Sequence, residues 1–127
     1  MAIAGIGTDI IEIARLEKNL SRTPRLADRV LTPQEKAIFD AHNEPARYLA
    51  KRFAAKEAAV KALGTGIGNG VSWQHISVSN DEFGAPRLTF SGHFAALCEQ
   101  RGICHSHLSI SDEIHYAVAT VLLETAG

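Results

Sequence analysis

Glu57 and Lys61 are the first candidates for chemistry, because they lie four residues apart in a stretch predicted to be helical. Residues at that spacing are surface neighbours on an α-helix. Residues 45–63 carry one acidic and five basic side chains, a local net charge of +4 in a chain whose formal net charge is −1. The basic side chains are Arg47, Lys51, Arg52, Lys56 and Lys61. One interpretation is a solvated basic face with a Glu–Lys pair worth about 0.2–0.5 kcal/mol. The other is a polyanion site where Glu57 holds a divalent cation against the anion.

Asp9 is a second acidic candidate, at the end of a short apolar stretch that predicts a buried strand over residues 2–8. Glu12 follows Asp9 by three residues, a spacing typical of a capping box, and a stripe of Ile and Leu follows. The pattern therefore predicts a helix that begins at Asp9, with Asp9 as an N-cap worth about 1 kcal/mol. A carboxylate at the end of a strand can also face a cleft, so both roles remain open.

Arg15, Arg22 and Arg25 lie on the predicted first helix and in the segment after it. Acidic side chains are interspersed among them, which is typical of an ordinary charged surface. The alternative is a docking patch for an acidic partner, which charge complementarity would attract and orient.

A glycine-rich segment, residues 64–70, follows the basic stretch. It comes after a helix and does not begin one, and it lacks both the Lys-Ser/Thr ending of a P-loop and the GxGxxG spacing. On these residues alone a flexible helix exit is favoured over a nucleotide site.

The elements that must position these residues follow from local patterns. Residues 45–63 contain no internal Gly or Pro, and they predict one long helix that begins at Pro45 and ends before Gly64. Thr32 and Glu35 predict the start of a shorter helix that runs to about residue 42.

Alternating and apolar runs predict four further strands. Residues 76–79 and 86–90 should form one hairpin, and residues 105–111 and 115–123 a second, with a helix over about 91–102 between them. The order β-α-α-α-β-β-α-β-β indicates an α+β fold, in which an antiparallel sheet packs against the long central helix.

Bulk composition limits the class of protein. A chain of 127 residues, 46% hydrophobic and 21% charged, is expected to be one globular domain over residues 1–127. Its near-neutral total charge argues against non-specific binding to nucleic acid or membrane. Two cysteines are too few for a disulfide framework, and neither a signal peptide nor a long apolar run is present, so a cytoplasmic location is expected.

Two segments together resemble a known family. Residues 5–10, Gly-Ile-Gly-Thr-Asp-Ile, and residues 52–68, from Arg-Phe-Ala-Ala-Lys-Glu-Ala to Gly-Thr-Gly-Ile-Gly, are similar to the signatures of the bacterial holo-acyl-carrier-protein synthases. These are small 4′-phosphopantetheinyl transferases, and the resemblance covers nearly the whole chain.

The resemblance implies a reaction and an assembly. The phosphopantetheine arm of coenzyme A would pass to a serine of apo-acyl carrier protein for fatty acid biosynthesis, leaving adenosine 3′,5′-bisphosphate. The family enzymes of this size are trimers with active sites between subunits.

The resemblance also implies roles for individual residues. Asp9 and Glu57 would hold Mg²⁺ on the pyrophosphate, and Lys61 would contact the same phosphates. Arg15, with Arg22 and Arg25 near it, would meet the acidic helix of the carrier protein. Coenzyme A would be bound by Arg52, Lys61, Gly64, Gly66, Gly84 and Pro86.

The chemistry agrees with this assignment. Displacement at phosphorus needs the charge on its oxygens neutralised and the nucleophile placed in line. Mg²⁺ usually takes one or two carboxylates and completes its shell with water and phosphate. The serine also needs a base, for which the candidates are Glu57 and a metal-bound water that Glu57 orients. Many relatives have a His where this chain has Asp112, so the role of that His is not transferred to Asp112.

A non-catalytic module that binds a phosphate-bearing ligand or an acidic protein is the alternative function. The pair of Asp9 and Glu57 discriminates between them, because carboxylates beside phosphates repel them unless a metal ion is present.

Overall fold

The computed structural model describes residues 1–126, in which helices and strands follow the predicted order with one addition. The elements are β1 (Ala2–Glu12), α1 (Ile13–Arg22), α2 (Leu26–Val30), α3 (Pro33–Ala41), α4 (Pro45–Leu63), β2 (Ile76–Asn80), β3 (Pro86–Phe90), α5 (Gly92–Gln100), β4 (Ile103–Asp112) and β5 (Tyr116–Thr125). A single 3₁₀ turn, Trp73–His75, precedes β2, and α2 is the element that the sequence did not predict.

The strands form two antiparallel sheets. The larger sheet has the order β1-β5-β4, and β2 and β3 form a separate two-stranded sheet. Both predicted hairpins are present: Ser109 of β4 faces Thr120 of β5, and Val78 of β2 faces Leu88 of β3. The predicted α+β class, with an antiparallel sheet against a long helix, is confirmed.

Helix α4 lies at the centre and packs against β1 and β5. Its predicted ends are confirmed: Pro45 lies in the first turn, and Gly64 closes the helix in the left-handed region at φ 83°. Four fully buried alanines, Ala54, Ala55, Ala58 and Ala59, give α4 a narrow face that lets the sheet approach closely. No helix within residues 1–126 has the length and apolar character needed to cross a bilayer.

Gly5 and Gly7 of β1 lie directly against α4. A methyl group at Gly7 would come within 2.5 Å of the Ala62 nitrogen and 2.9 Å of the Lys61 Cβ, and closer still to the Ala58 oxygen. The strand and the helix can therefore touch only because these two strand positions have no side chain.

The predicted start of the first helix at Asp9 is wrong. Strand β1 continues to Glu12, with Asp9 opposite Ala119 and Glu12 opposite Tyr116 of β5, and α1 begins at Ile13. The backbone groups of residues 9–12 form hydrogen bonds with the long partner strand β5, so Asp9 caps no helix. The strand that carries Asp9 is thus fixed along its whole length.

The interpretation of α4 as having a solvated basic face is also wrong in part, because Lys56 and Arg52 are buried. The Lys56 ammonium donates to Glu35 Oε1 at 2.7 Å, to the Val30 oxygen at 2.6 Å and to the Trp73 oxygen at 3.2 Å. Burial lowers the pKa of Lys56, and the charge of Glu35 opposes that shift.

Glu35 also forms the predicted capping box at the start of α3. Its Oε1 accepts from the Thr32 nitrogen at 2.8 Å, and its Oε2 accepts from the Val78 nitrogen at 2.7 Å. The buried pair of Glu35 and Lys56 therefore ties α2, α3, α4 and β2 to one point.

Candidate active site

Asp9 faces α4 because side chains alternate along a strand, and Gly5, Gly7 and Asp9 share one face of β1. Its carboxylate Oδ1 accepts a hydrogen bond from Lys61 Nζ at 2.8 Å. Lys61 Nζ also donates to the Thr8 oxygen at 3.1 Å. The Asp9 side chain is 16% exposed and that of Lys61 is 53% exposed, so the pair lies at the edge of the interior, open to a ligand on one side.

Glu57 lies one turn of α4 before Lys61, and the surface pair between them is not formed: Lys61 bonds to Asp9 instead. The partner of Glu57 is Trp73, whose indole Nε1 donates to Glu57 Oε2 at 3.2 Å. Residues four apart on a helix have Cβ atoms about 5–6 Å apart. The structure therefore brings Asp9, Glu57 and Lys61 into one region, although Asp9 is remote from the others in sequence.

A cavity of about 590 Å³ is lined in part by Trp73. Its apolar wall includes Leu31, Ile67, Val71 and Trp73, which come from the end of α2, the glycine-rich segment and the residues that follow it up to the 3₁₀ turn. The cavity is within the usual size of a small-molecule site.

Arg52, Gly84 and Pro86 meet at the β2–β3 hairpin. Arg52 Nη2 donates to Asn80 Oδ1 at 3.0 Å, and Asn80 Nδ2 donates to the Gly84 oxygen at 2.8 Å. The buried guanidinium also lies 4.7 Å from the centre of the Tyr48 ring. Among residues 1–126, no hydrogen bond joins these hairpin residues to Asp9, Glu57 or Lys61. The residues predicted to bind coenzyme A therefore form two separate groups within one chain.

Asp81 fixes the turn of that hairpin. Its Oδ1 accepts from the backbone N–H groups of Ala85 and Phe83, each at 2.9 Å, and these bonds lower the pKa of Asp81. Gly84 adopts φ 83°, a left-handed conformation that favours glycine. The backbone on either side of Gly84 is thus held in one shape.

Gly64 and Gly66 begin the segment after α4, with φ of 83° and 68°. A Cβ at either position would meet nothing within 4 Å. Both residues are exposed, but the Gly64 N–H already donates to the Val60 oxygen at 2.9 Å and to the Lys61 oxygen at 3.1 Å as the helix ends. The space around Gly66 is open to a ligand, whereas Gly7 is packed directly against α4.

The three predicted docking arginines are exposed. Arg15 and Arg22 lie on α1, and Arg25 lies just before α2. None of them forms a salt bridge to the residues that the structure describes, which leaves their charges available to a partner.

Asp112 is the last residue of β4, and its carboxylate pairs with basic side chains in the first turns of α4. Its Oδ2 accepts from Arg47 Nη1 at 3.0 Å, and its Oδ1 lies 3.6 Å from Lys51 Nζ. Arg47 also donates to the oxygens of Glu113 and Ile114. Two of the basic residues of α4 are therefore engaged by the β4–β5 turn.

Trp73 and the Glu35–Lys56 pair are the functional neighbours that sequence reasoning missed. Trp73 is the one tryptophan of the chain and follows the glycine-rich segment, which could have drawn attention to it. No signal in the sequence indicated that Lys56 and Arg52, two of the five basic residues on α4, are buried.

Comparison with known proteins shows the family. Residues 5–120 match the family described as the 4′-phosphopantetheinyl transferase superfamily. A holo-[acyl-carrier-protein] synthase from Alteromonas mediterranea is 70% identical over 125 residues, which cover 98% of this chain and 99% of that protein.

Solved structures agree with the sequence comparison. The crystal structure of a holo-[acyl-carrier-protein] synthase from Neisseria meningitidis is 40% identical, with a TM-score of 0.91 over 97% of this chain and 99% of that one. A holo-(acyl-carrier-protein) synthase from Bacillus anthracis, in complex with CoA (3′,5′-ADP), is 41% identical, with a TM-score of 0.83 over 99% of this chain and 100% of that one. The resemblance predicted from two short segments is confirmed, and the alternative of a non-catalytic module is set aside. The chain belongs to the holo-[acyl-carrier-protein] synthase family of the 4′-phosphopantetheinyl transferase superfamily, and it is a transferase.

Proposed function

We propose that this enzyme transfers 4′-phosphopantetheine from coenzyme A to a serine of apo-acyl carrier protein, with Mg²⁺, and releases adenosine 3′,5′-bisphosphate. The observation that carries the proposal is the bond from Lys61 to Asp9, one helical turn from Glu57. It supports a site in which two carboxylates and one ammonium group serve a diphosphate. The complex of the Bacillus anthracis relative with CoA supports the choice of donor.

The residues present fit Mg²⁺. Among residues 1–126 no group of three or more His, Cys, Asp or Glu side chains could hold a metal ion. Asp9 and Glu57 supply two carboxylates, the number that Mg²⁺ usually takes when phosphate and water complete its shell. When bound, Mg²⁺ would neutralise charge that develops on the transferred phosphoryl group.

Lys61 and Glu57 have separate tasks in this proposal. Lys61 is more than half exposed and already lies on the carboxylate of Asp9, so its ammonium can turn to a phosphate oxygen while it stays near Asp9. Glu57 is the candidate that takes the proton from the serine hydroxyl, directly or through a water that it orients. The hydroxyl oxygen then attacks phosphorus, and the bisphosphate leaves.

The coenzyme is proposed to contact two regions. The exposed segment of Gly64 to Gly66 begins three residues after Lys61, and the apolar cavity beside Trp73 can take the pantetheine arm. Arg52, Gly84 and Pro86 form the second region. Because Arg52 is buried and bonded to Asn80, it serves chiefly by holding the hairpin.

The carrier protein is proposed to dock on Arg15, Arg22 and Arg25. These exposed arginines lie on α1 and the segment after it, and α1 follows directly on the strand that carries Asp9. An acidic helix docked there would be guided by charge and would bring its serine towards Asp9.

The enzyme is proposed to act as a homotrimer with sites between subunits, in the cytoplasm, on the carrier protein of fatty acid biosynthesis. The outer face of the β1-β5-β4 sheet supports an assembly. Ile6 and Ile10 of β1 are each 65% exposed there, opposite Leu122 and Val118 of β5. An apolar sheet face of this kind is typical of an interface between subunits.

The test of the proposed function is Glu57→Gln in an assay that contains coenzyme A, Mg²⁺ and apo-acyl carrier protein. The intact mass of the carrier should rise by one phosphopantetheine with the wild-type enzyme and stay unchanged with the variant. The unfolding temperature should change little, because among residues 1–126 the Glu57 carboxylate has a single hydrogen-bond partner, Trp73. Glu99→Gln, an exposed carboxylate on α5, is the matched control and should keep full activity. Full transfer by Glu57→Gln would contradict the site.

A further inference from the structure

Trp73 is the side chain through which Glu57 is fixed. Its indole Nε1 donates to Glu57 Oε2 at 3.2 Å, and no other hydrogen bond to the Glu57 carboxylate is formed by residues 1–126. A glutamate side chain has several rotatable bonds, so a single donor decides which way its carboxylate points. The bond engages Oε2 and leaves Oε1 without a protein donor from the described chain.

Trp73 itself is held at three points. Its ring packs on Phe53, with centroids 6.0 Å apart and planes inclined by 42°. Its backbone oxygen accepts from Lys56 Nζ at 3.2 Å. The Ser72 side chain caps the turn by accepting from the Gln74 nitrogen at 3.1 Å.

Lys56 makes this support rigid, because it is fully buried and also bonded to Glu35 at 2.7 Å. The backbone that carries the indole N–H is therefore fixed, and the direction of the N–H is fixed with it. A donor on a mobile loop would instead move with the carboxylate and would not set its orientation. Phe53 lies four residues before Glu57 and so stands beside it on the same face of α4.

We propose that Trp73 is a positioning residue: its indole N–H orients the Glu57 carboxylate so that Oε1 meets the divalent cation. The inference rests on the proposed function, which places the cation between Asp9 and Glu57. Partners that bond to a ligating side chain fix its orientation, and their loss typically costs about 10- to 100-fold in metal affinity or activity. For Trp73, which is half-buried and gives one bond, the lower end of that range is expected.

The first test is Trp73→Phe, which keeps an aromatic ring on Phe53 and removes the N–H. Mn²⁺ is the probe, and its binding to the assembled enzyme with coenzyme A is followed by electron paramagnetic resonance. The variant should bind Mn²⁺ about tenfold more weakly, and the Mg²⁺ concentration for half-maximal rate should rise in parallel. The KM for the carrier protein should not change, because the exposed arginines are unaltered.

Trp73→His is the rescue variant, since its ring can still donate an N–H, and it should recover part of the lost Mn²⁺ affinity. A purely structural role would not produce this order, because His is a poorer replacement for Trp than Phe in an apolar contact. Equal Mn²⁺ affinity in Trp73→Phe and wild type would overturn the positioning role while the proposed function stood.

A second measurement leaves Trp73 unchanged. Trp73 is the one tryptophan in the chain, so intrinsic tryptophan fluorescence reports on this position alone. Paramagnetic Mn²⁺ should quench it in the wild type and fail to do so in Glu57→Gln. A wild-type enzyme that binds no Mn²⁺, or transfers phosphopantetheine without a divalent ion, would overturn the proposed function and the positioning role together.

Discussion

Gly7→Ala tests whether the close contact of β1 with α4 is what brings the two carboxylates together. A methyl group at Gly7 would lie 2.5 Å from the Ala62 nitrogen and 2.9 Å from the Lys61 Cβ, and closer still to the Ala58 oxygen. These neighbours are helix backbone and the root of a side chain, so they cannot turn aside. Strand and helix must separate by about 1 Å, since packed carbon atoms need about 3.5–4 Å.

The expected cost has two parts. Forcing a methyl group into a filled contact destabilises a fold by about 1–3 kcal/mol. The same separation moves Asp9, two residues along β1, away from Lys61 and Glu57 on α4. A displacement of about 1 Å at a catalytic group can cost about 100-fold in rate. We therefore expect a folded enzyme with about a hundredth of the wild-type kcat.

Gly5→Ala is the matched control, because a methyl group there meets the Ala62 carbonyl in the same strand–helix contact. Gly5 is four residues from Asp9, about 13 Å along an extended strand. Both variants should lose similar stability in urea unfolding, but Gly7→Ala should lose far more transfer activity, measured from the mass of the carrier protein. Equal loss of activity in the two variants would refute the reasoning, because it would show that general destabilisation and not the spacing of Asp9 and α4 limits the rate.

The remaining predictions concern charges away from that contact. Arg15→Glu should raise the KM for the carrier protein about tenfold at low salt, less at high salt, and leave coenzyme A affinity in calorimetry unchanged; an equal loss of both affinities would argue against a separate docking patch. Lys56→Met should lower the free energy of unfolding by about 3–5 kcal/mol, because Glu35 is left buried without its cation. Adding Glu35→Gln should recover part of that loss in chemical denaturation, since the amide has no charge and can still accept from the backbone. No recovery would mean that Lys56 stabilises the fold through its carbonyl contacts alone.

The parts of the fold that depend on local signals could be predicted from the sequence. Pro45 and Gly64 mark the ends of α4, and Thr32 with Glu35 marks the start of α3, because caps and helix-ending residues act within one turn. The hairpins were also predictable, since alternation and a short turn lie within about twenty residues.

The parts that depend on distant partners could not be predicted. Residues 9–12 fit either a helix start or a strand, and the choice is made by β5, more than a hundred residues later in the chain. Lys56 is buried because Glu35, Val30 and Trp73 converge on it from three other segments. Trp73 reaches Glu57 for the same reason: tertiary packing brings the 3₁₀ turn over α4.

The bond between Lys61 and Asp9 supports the proposed need for a divalent cation at this site. Lys61 has a helical neighbour, Glu57, and a strand neighbour, Asp9, and it bonds to Asp9, whose side chain is 16% exposed. Asp9, Glu57 and Lys61 then carry formally one net negative charge, which repels a diphosphate. Asp9 and Glu57 would hold a divalent cation that reverses that sign, and Lys61 would then be free to turn to the phosphates. We therefore expect that these three side chains bind coenzyme A more weakly without a divalent ion, in keeping with the proposed dependence on Mg²⁺.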